Sequence, residues 1–170
     1  MHGPSGIILE MKKLPNASHC FGCGMENDFS LKMSFYIDDD NRVVSDTTIS
    51  DSYQGYPGVV HGGIVAAMLD ETAARSVMIT DPNRMMFTGK LTTRYRKPVP
   101  VGVPLHLVGE MIRDRGRIAE CRSWLYGPDG EVLADAEALM MSMPDDSLDL
   151  TGEEAGMLWK VYPDEPSGLA

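Results

Sequence analysis

The sequence predicts an α+β fold in which an antiparallel sheet wraps around one central helix. Three observations carry that reading. Only one segment, 62–79, has a strongly helical composition. Short alternating segments flank it on both sides. The last of these are joined by turn sequences too short for crossover connections, so neighbouring strands run antiparallel.

The elements follow in chain order. Leu31 to Ile37 alternates apolar with polar residues and reads as a strand. Asp38 to Asn41 is a turn cluster, and Arg42 to Ile49 returns as a second strand. Asp51 to Gly58 is a loop rich in Gly, Pro and Tyr. The helix then spans Gly62 to Ile79, which has no proline and holds four alanines. Its stretch Ile64 to Leu69 is apolar on all sides, as in a helix buried nearly all round. Asp81-Pro82-Asn83 ends it. Met85 to Tyr95 reads as a strand with Met85, Phe87, Leu91 and Tyr95 on the core face, and Thr88, Lys90, Thr92 and Arg94 on the polar face. Val103 to Arg113, Gly116 to Tyr126 and Glu131 to Met143 complete a meander.

With 170 residues and 43% apolar residues, the chain is sized for one domain with a real core. The expected organisation is an N-terminal extension over 1–19, the domain over 20–144 and an acidic C-terminal extension over 145–170. The last 26 residues hold seven acids and one base, and read as a loosely held tail. Trp159, Val161 and Tyr162 complicate that, because an apolar cluster in a tail often docks. The net charge of −10 repels nucleic acid. No run approaches the roughly 20 apolar residues that span a bilayer, and the first residues do not read as a signal peptide. Three cysteines fit a reducing compartment. The expectation is a cytoplasmic protein that uses neither membrane nor nucleic acid.

The chemistry-bearing segment is Gly58 to Glu71. His61-Gly62-Gly63 enters the helix, where the first amides lack internal partners and carry the positive end of the dipole. Such amides suit a carbonyl oxygen that becomes negative in a tetrahedral transition state. The competing reading is a tight helix start that His61 merely caps. Asp70 follows six apolar residues in mid-helix, and a carboxylate there is costly to bury unless it is paired or used. Glu71 is adjacent, but helix neighbours point about 100° apart, so at most one faces a given site.

These residues resemble the hotdog-fold thioesterases of the phenylacetate-degradation type. The likeness rests on His-Gly-Gly with an acid nine residues after the His. It extends to Gln54-Gly55-Tyr56-Pro57-Gly58 upstream, to Thr88 through Pro100 downstream, and to Cys20-Phe21-Gly22-Cys23-Gly24. The resemblance implies a hotdog fold and hydrolysis of acyl-CoA by a homo-oligomer, a dimer or a dimer of dimers, with no cofactor. It implies that the Gly62 amide, with Gly63, polarises the thioester carbonyl. Asp70 activates or directs water, Thr88 holds that water, and His61 lines the site. Some relatives carry an asparagine at the position of Gly55, where Gln54 is the available stand-in. Glu71 is a further candidate contact, and either the run Lys90, Arg94, Arg96 and Lys97 or the run Arg113, Arg115 and Arg117 is a candidate for the coenzyme A phosphates.

Two further readings stand beside this one. The Gly55 departure favours a non-catalytic acyl-thioester-binding module. A lyase of the same fold, such as a hydratase, would carry a catalytic acid–His pair, which His61 and Asp70 do not form in one chain. Cys20-x-x-Cys23 lacks the second pair of ligands that a structural zinc requires, so no metal site is expected.

Overall fold

The computed structural model describes residues 11–144 and 159–164. One helix, α1 (Gly62–Ser76), packs on a seven-stranded antiparallel sheet. The strands are β1 (Lys12–Lys13), β3 (Tyr36–Ile37), β4 (Val43–Thr48), β5 (Met86–Tyr95), β6 (Pro104–Asp114), β7 (Ile118–Tyr126) and β8 (Val132–Ser142). Their spatial order is β1-β3-β4-β6-β7-β8-β5. β5 precedes the meander in sequence yet forms the far edge, paired to β8 alone among the described residues. A two-stranded sheet joins β2 (Asn16–Ala17) to β9 (Trp159–Lys160).

The helix lies close against the sheet because the facing strand positions are small. Ala134, Ala136 and Ala138 of β8 are buried beneath it. Gly109 of β6 has no side chain for the same reason, since a Cβ there would meet the Thr72 carbonyl oxygen at 2.5 Å. Val65, Met68, Leu69 and Ala73 fill the interface from the helix side, with Leu107 and Leu125 opposite. The buried Ser123 hydroxyl donates to the Leu69 carbonyl at 2.8 Å and satisfies its own polarity.

Three sequence expectations about the helix and the strands need correction. The helix ends at Ser76 and not at Ile79, and the chain closes into a turn with the Met78 amide donating to the Arg75 carbonyl. Leu31 to Ile37 alternates in burial as expected, but only Tyr36–Ile37 joins the sheet. Lys32 has a φ of 54°, which interrupts the strand, and the amides of Leu31 and Met33 donate to the carbonyls of Phe21 and Gly22. On β5 the register against β8 shifts between Thr88 and Lys90. This bulge at Gly89 reverses the phase of alternation. Thr88 therefore faces the helix with Met86, while Phe87 is exposed, opposite to the strict alternation read from the sequence.

The C-terminal residues 159–164 dock on the domain. The Trp159 indole donates to the Pro82 carbonyl at 3.1 Å, and its ring stacks 4.4 Å from the Arg75 guanidinium. A loosely held tail does not describe this segment. The remainder of the acidic extension lies outside the described residues.

Candidate active site

His61 is the N-cap of α1. Its Nδ1 accepts from the Gly63 amide at 3.0 Å. A neutral imidazole that accepts at Nδ1 carries its proton at Nε2. The Gly63 amide is thereby occupied, whereas the Gly62 amide has no partner among the described residues. The His61 carbonyl accepts from Ile64 and Val65 and anchors the peptide plane that carries the Gly62 N–H. The Tyr95 hydroxyl donates to the Gly62 carbonyl at 2.8 Å and fixes the next plane. The sequence reading placed Tyr95 on a core face and gave it no part in the site; its register two residues from the bulge-shifted Thr93 brings it here.

A cavity of about 690 Å³ opens at this helix start, lined by Gly55, Tyr56, His61, Gly62, Tyr95 and Arg96 among others. Gly55 lies against His61, where a Cβ would meet the His61 Cα at 3.3 Å. Gln54 does not line the cavity. Its Oε1 accepts from the Gly58 amide at 3.1 Å and braces the loop. Of the basic candidates, Arg96 and its neighbour Lys97 line the cavity, with Arg96 ion-paired to Asp135. Lys90 and Arg94 instead line separate clefts, each shared with Thr92 and Arg122 on the face away from the helix.

Asp70 lies eight residues after Gly62. Its half-buried Oδ1 accepts from the Thr88 hydroxyl at 2.7 Å. Burial pushes its carboxyl above the ordinary carboxylate range, and the Thr88 hydrogen bond opposes that shift. No cation pairs with it among the described residues. Glu71 points elsewhere. Its carboxylate accepts from the Cys20 thiol at 3.3 Å and from Arg75 at 3.4 Å. Its stem lies on Gly22, where a Cβ would meet the Glu71 Cγ at 2.3 Å. The adjacent acids thus divide, with Asp70 toward β5 and Glu71 toward the cysteine turn.

Cys20, Cys23 and Glu71 bring their ligand atoms within 4.8 Å of one another, the one such group among the described residues. The Arg75 guanidinium enters this group, 2.7 Å from the Cys23 sulfur. It supplies the positive charge that a metal would bring, and three protein ligands fall short of a closed structural zinc site. The buried arginine also donates to the Pro15 carbonyl and stacks on Phe35, tying both terminal segments to the helix.

The family model described as the thioesterase superfamily matches residues 57–134. This segment runs from the loop before His61 through α1, β5, β6 and β7 into β8. The chain is 31% identical over 106 residues to 3-hydroxyacyl-(acyl-carrier-protein) dehydratase FabZ of Bacillus licheniformis, covering 61% of this chain and 72% of the relative. A crystal structure of a thioesterase superfamily protein is 31% identical with a TM-score of 0.63, over 70% of this chain but only 58% of the solved one. A putative thioesterase of Ralstonia eutropha, related to phenylacetic acid degradation, is 25% identical with a TM-score of 0.59 over 65% of this chain and 85% of its own.

The fold and the matches define a hotdog protein. The chain belongs to the thioesterase superfamily.

Proposed function

We propose that the chain hydrolyses acyl-coenzyme A thioesters, as a dimer or dimer of dimers whose sites are shared between subunits. The observation that carries this reading is Asp70. It is a half-buried carboxylate, aimed by Thr88, with no cation to neutralise it among the described residues. That environment suits a general base.

In the proposed reaction the thioester carbonyl oxygen accepts from the Gly62 N–H. Asp70 takes a proton from water, and the hydroxide adds to the carbonyl carbon. The amide and the helix start stabilise the resulting oxyanion. The tetrahedral intermediate then collapses, the C–S bond breaks, and the proton held by Asp70 passes to the departing sulfur. Free acid and coenzyme A thiol result. Asp70 could alternatively attack the carbonyl itself to form an anhydride that water opens. Both routes need only the carboxylate, the amide and water. Arg96 and Lys97 at the cavity are the proposed contacts for the coenzyme's phosphates. A cytoplasmic setting fits three free cysteines and such a substrate.

Gly62 and Asp70 are eight residues apart, about 12 Å along the axis. Both must approach one carbonyl carbon, so they act from different chains. β5 supports this arrangement, because its outer edge is unpaired among the described residues. Two copies joined antiparallel at β5 would place their helices side by side, each start beside the other's middle.

The likeness to a dehydratase favours a second reading, a lyase acting on 3-hydroxyacyl thioesters. Within one chain the Nδ1 of His61 is engaged by Gly63 and Asp70 by Thr88, but a site shared between chains also sets the His61 of one copy near the Asp70 of the other, so activity decides between the readings. The two readings separate in one experiment. Thiol release is followed over a panel of acyl-coenzyme A esters, and ultraviolet absorbance of the enoyl thioester is followed with 3-hydroxyacyl substrates. Thiol release that disappears in Asp70→Asn supports hydrolysis. Enoyl formation without thiol release establishes the lyase.

A further inference from the structure

A second cavity, of about 200 Å³, runs along α1 on the side away from Gly62. Its walls include Ala74, Met78, Met86, Met143, Cys20 and Trp159. We infer that this cavity takes the acyl group of the thioester and that Trp159 in its wall limits the acyl length. The inference rests on the hydrolase reading proposed above.

Continuity with the Asp70–Thr88 pair is the first argument. Ala74 is one turn beyond Asp70 on the same helix face, about 6 Å further along the axis. Met86 is two residues before Thr88 on the same strand face, about 7 Å away. The two residues form the next layer after the carboxylate–hydroxyl pair, and both line the cavity. Neither Asp70 nor Thr88 itself lines the cavity, so an acyl group whose carbonyl carbon sits beside Asp70 reaches it by passing Ala74 and Met86.

The chemistry of the wall sets the class of acyl group. Four methionines, Met78, Met85, Met86 and Met143, supply an apolar, adaptable surface. The charged groups at the rim are already engaged. Arg84 forms paired bonds of 2.7 and 2.8 Å to Asp114 and a third to the Gly116 carbonyl. Arg75 and Glu71 are held by each other and by the cysteine turn. A charged acyl terminus finds no free partner among the described residues, so the fitting acyl group ends without charge. The volume lies below the roughly 300–1,000 Å³ of drug-sized pockets, which suits a short-chain or single-ring acyl group rather than a long fatty one.

Trp159 lines the cavity from the C-terminal segment. Its indole is bonded to Pro82, beyond the last turn of the helix, and its ring is stacked on Arg75. Both contacts hold the ring in place. Trp159 lies outside the matched family segment 57–134, as does Cys20. The terminal segments of this chain therefore build part of the pocket wall.

The test uses the full chain and straight-chain acyl-coenzyme A esters from acetyl upward, with phenylacetyl-coenzyme A as the single-ring probe. The quantity read is kcat/KM for each ester relative to acetyl, which cancels a general loss of activity. Wild type should fall off as the chain lengthens past the pocket. Trp159→Ala should raise the ratio for the first rejected esters by about tenfold, the effect of burying one or two further methylenes. Ala74→Leu, which fills the near end, should lower the ratio for every ester longer than acetyl, and it decides the matter if Trp159→Ala fails to fold. Length profiles that match wild type in the folded variants overturn the pocket assignment and leave hydrolysis standing. If wild type releases no thiol from any ester, the hydrolase reading falls, and calorimetric affinities for the same series decide the pocket. A length dependence that moves with the two variants keeps the assignment, and a flat one removes it.

Discussion

The Thr88 hydroxyl and the Asp70 carboxylate meet at 2.7 Å across the groove between the edge strand and the middle of the only α-helix among the described residues. Burial makes that carboxylate reluctant to ionise, and the hydroxyl partly offsets the effect. Removing the hydroxyl leaves burial unopposed. Thr88→Val should therefore move the acid limb of the kcat/KM profile to higher pH and lower the plateau rate about tenfold. A pH–rate profile of the two proteins checks both effects.

Asp70 also predicts a trade between activity and stability. Its folded pKa lies above its unfolded value, so the folded chain holds that proton more tightly. The stabilising contribution is complete below the unfolded value and is lost as pH rises through the folded one. At neutral pH the ionised carboxylate is a net cost. Asp70→Asn should lower kcat by about 10²-fold or more yet raise Tm near neutral pH, with the Tm difference closing as the solution approaches about pH 4. Thermal scans across that range show whether it does.

Glu71→Gln should show the reverse pattern, because Glu71 serves the cysteine turn and Arg75. Tm falls while kcat changes by less than about threefold, well short of the loss expected for a general base. A larger fall in kcat for Glu71→Gln than for Asp70→Asn would exchange the roles of the two acids.

The His61 cap can be separated from chemistry by two substitutions. His61→Ala loses the acceptor for the Gly63 amide and should cost about 1 kcal/mol of stability. His61→Asn restores an acceptor and should recover most of that loss. Activity that stays low in a His61→Asn protein of near-native Tm would show that the imidazole acts beyond capping.

Much of this site was legible in the sequence, for physical reasons. An apolar run interrupted by one acid, and paired glycines at a helix start, are local patterns that survive any fold. The orientation of Glu71 was not legible, since it depends on Cys20 and Gly22 arriving from a distant turn. The facing of Thr88 was misread because a bulge at Gly89 reverses the alternation, and an isolated glycine in a strand was the available signal. The docking of Trp159 depends on Arg75 and Pro82, which no local composition connects to an acidic tail.

Subunit mixing tests the central claim, that hydrolysis needs Gly62 from one chain and Asp70 from another, most directly. Asp70→Asn and Gly62→Val are each prepared, shown to be folded and inactive, and allowed to exchange. A Gly62→Ala protein controls for distortion of the helix start. Each heterodimer should contain one wholly wild-type site and one doubly damaged site, and so recover up to about half of the wild-type thiol release. Confirmed heterodimers that remain inactive, with the Gly62→Ala control folded and active, would contradict the shared site.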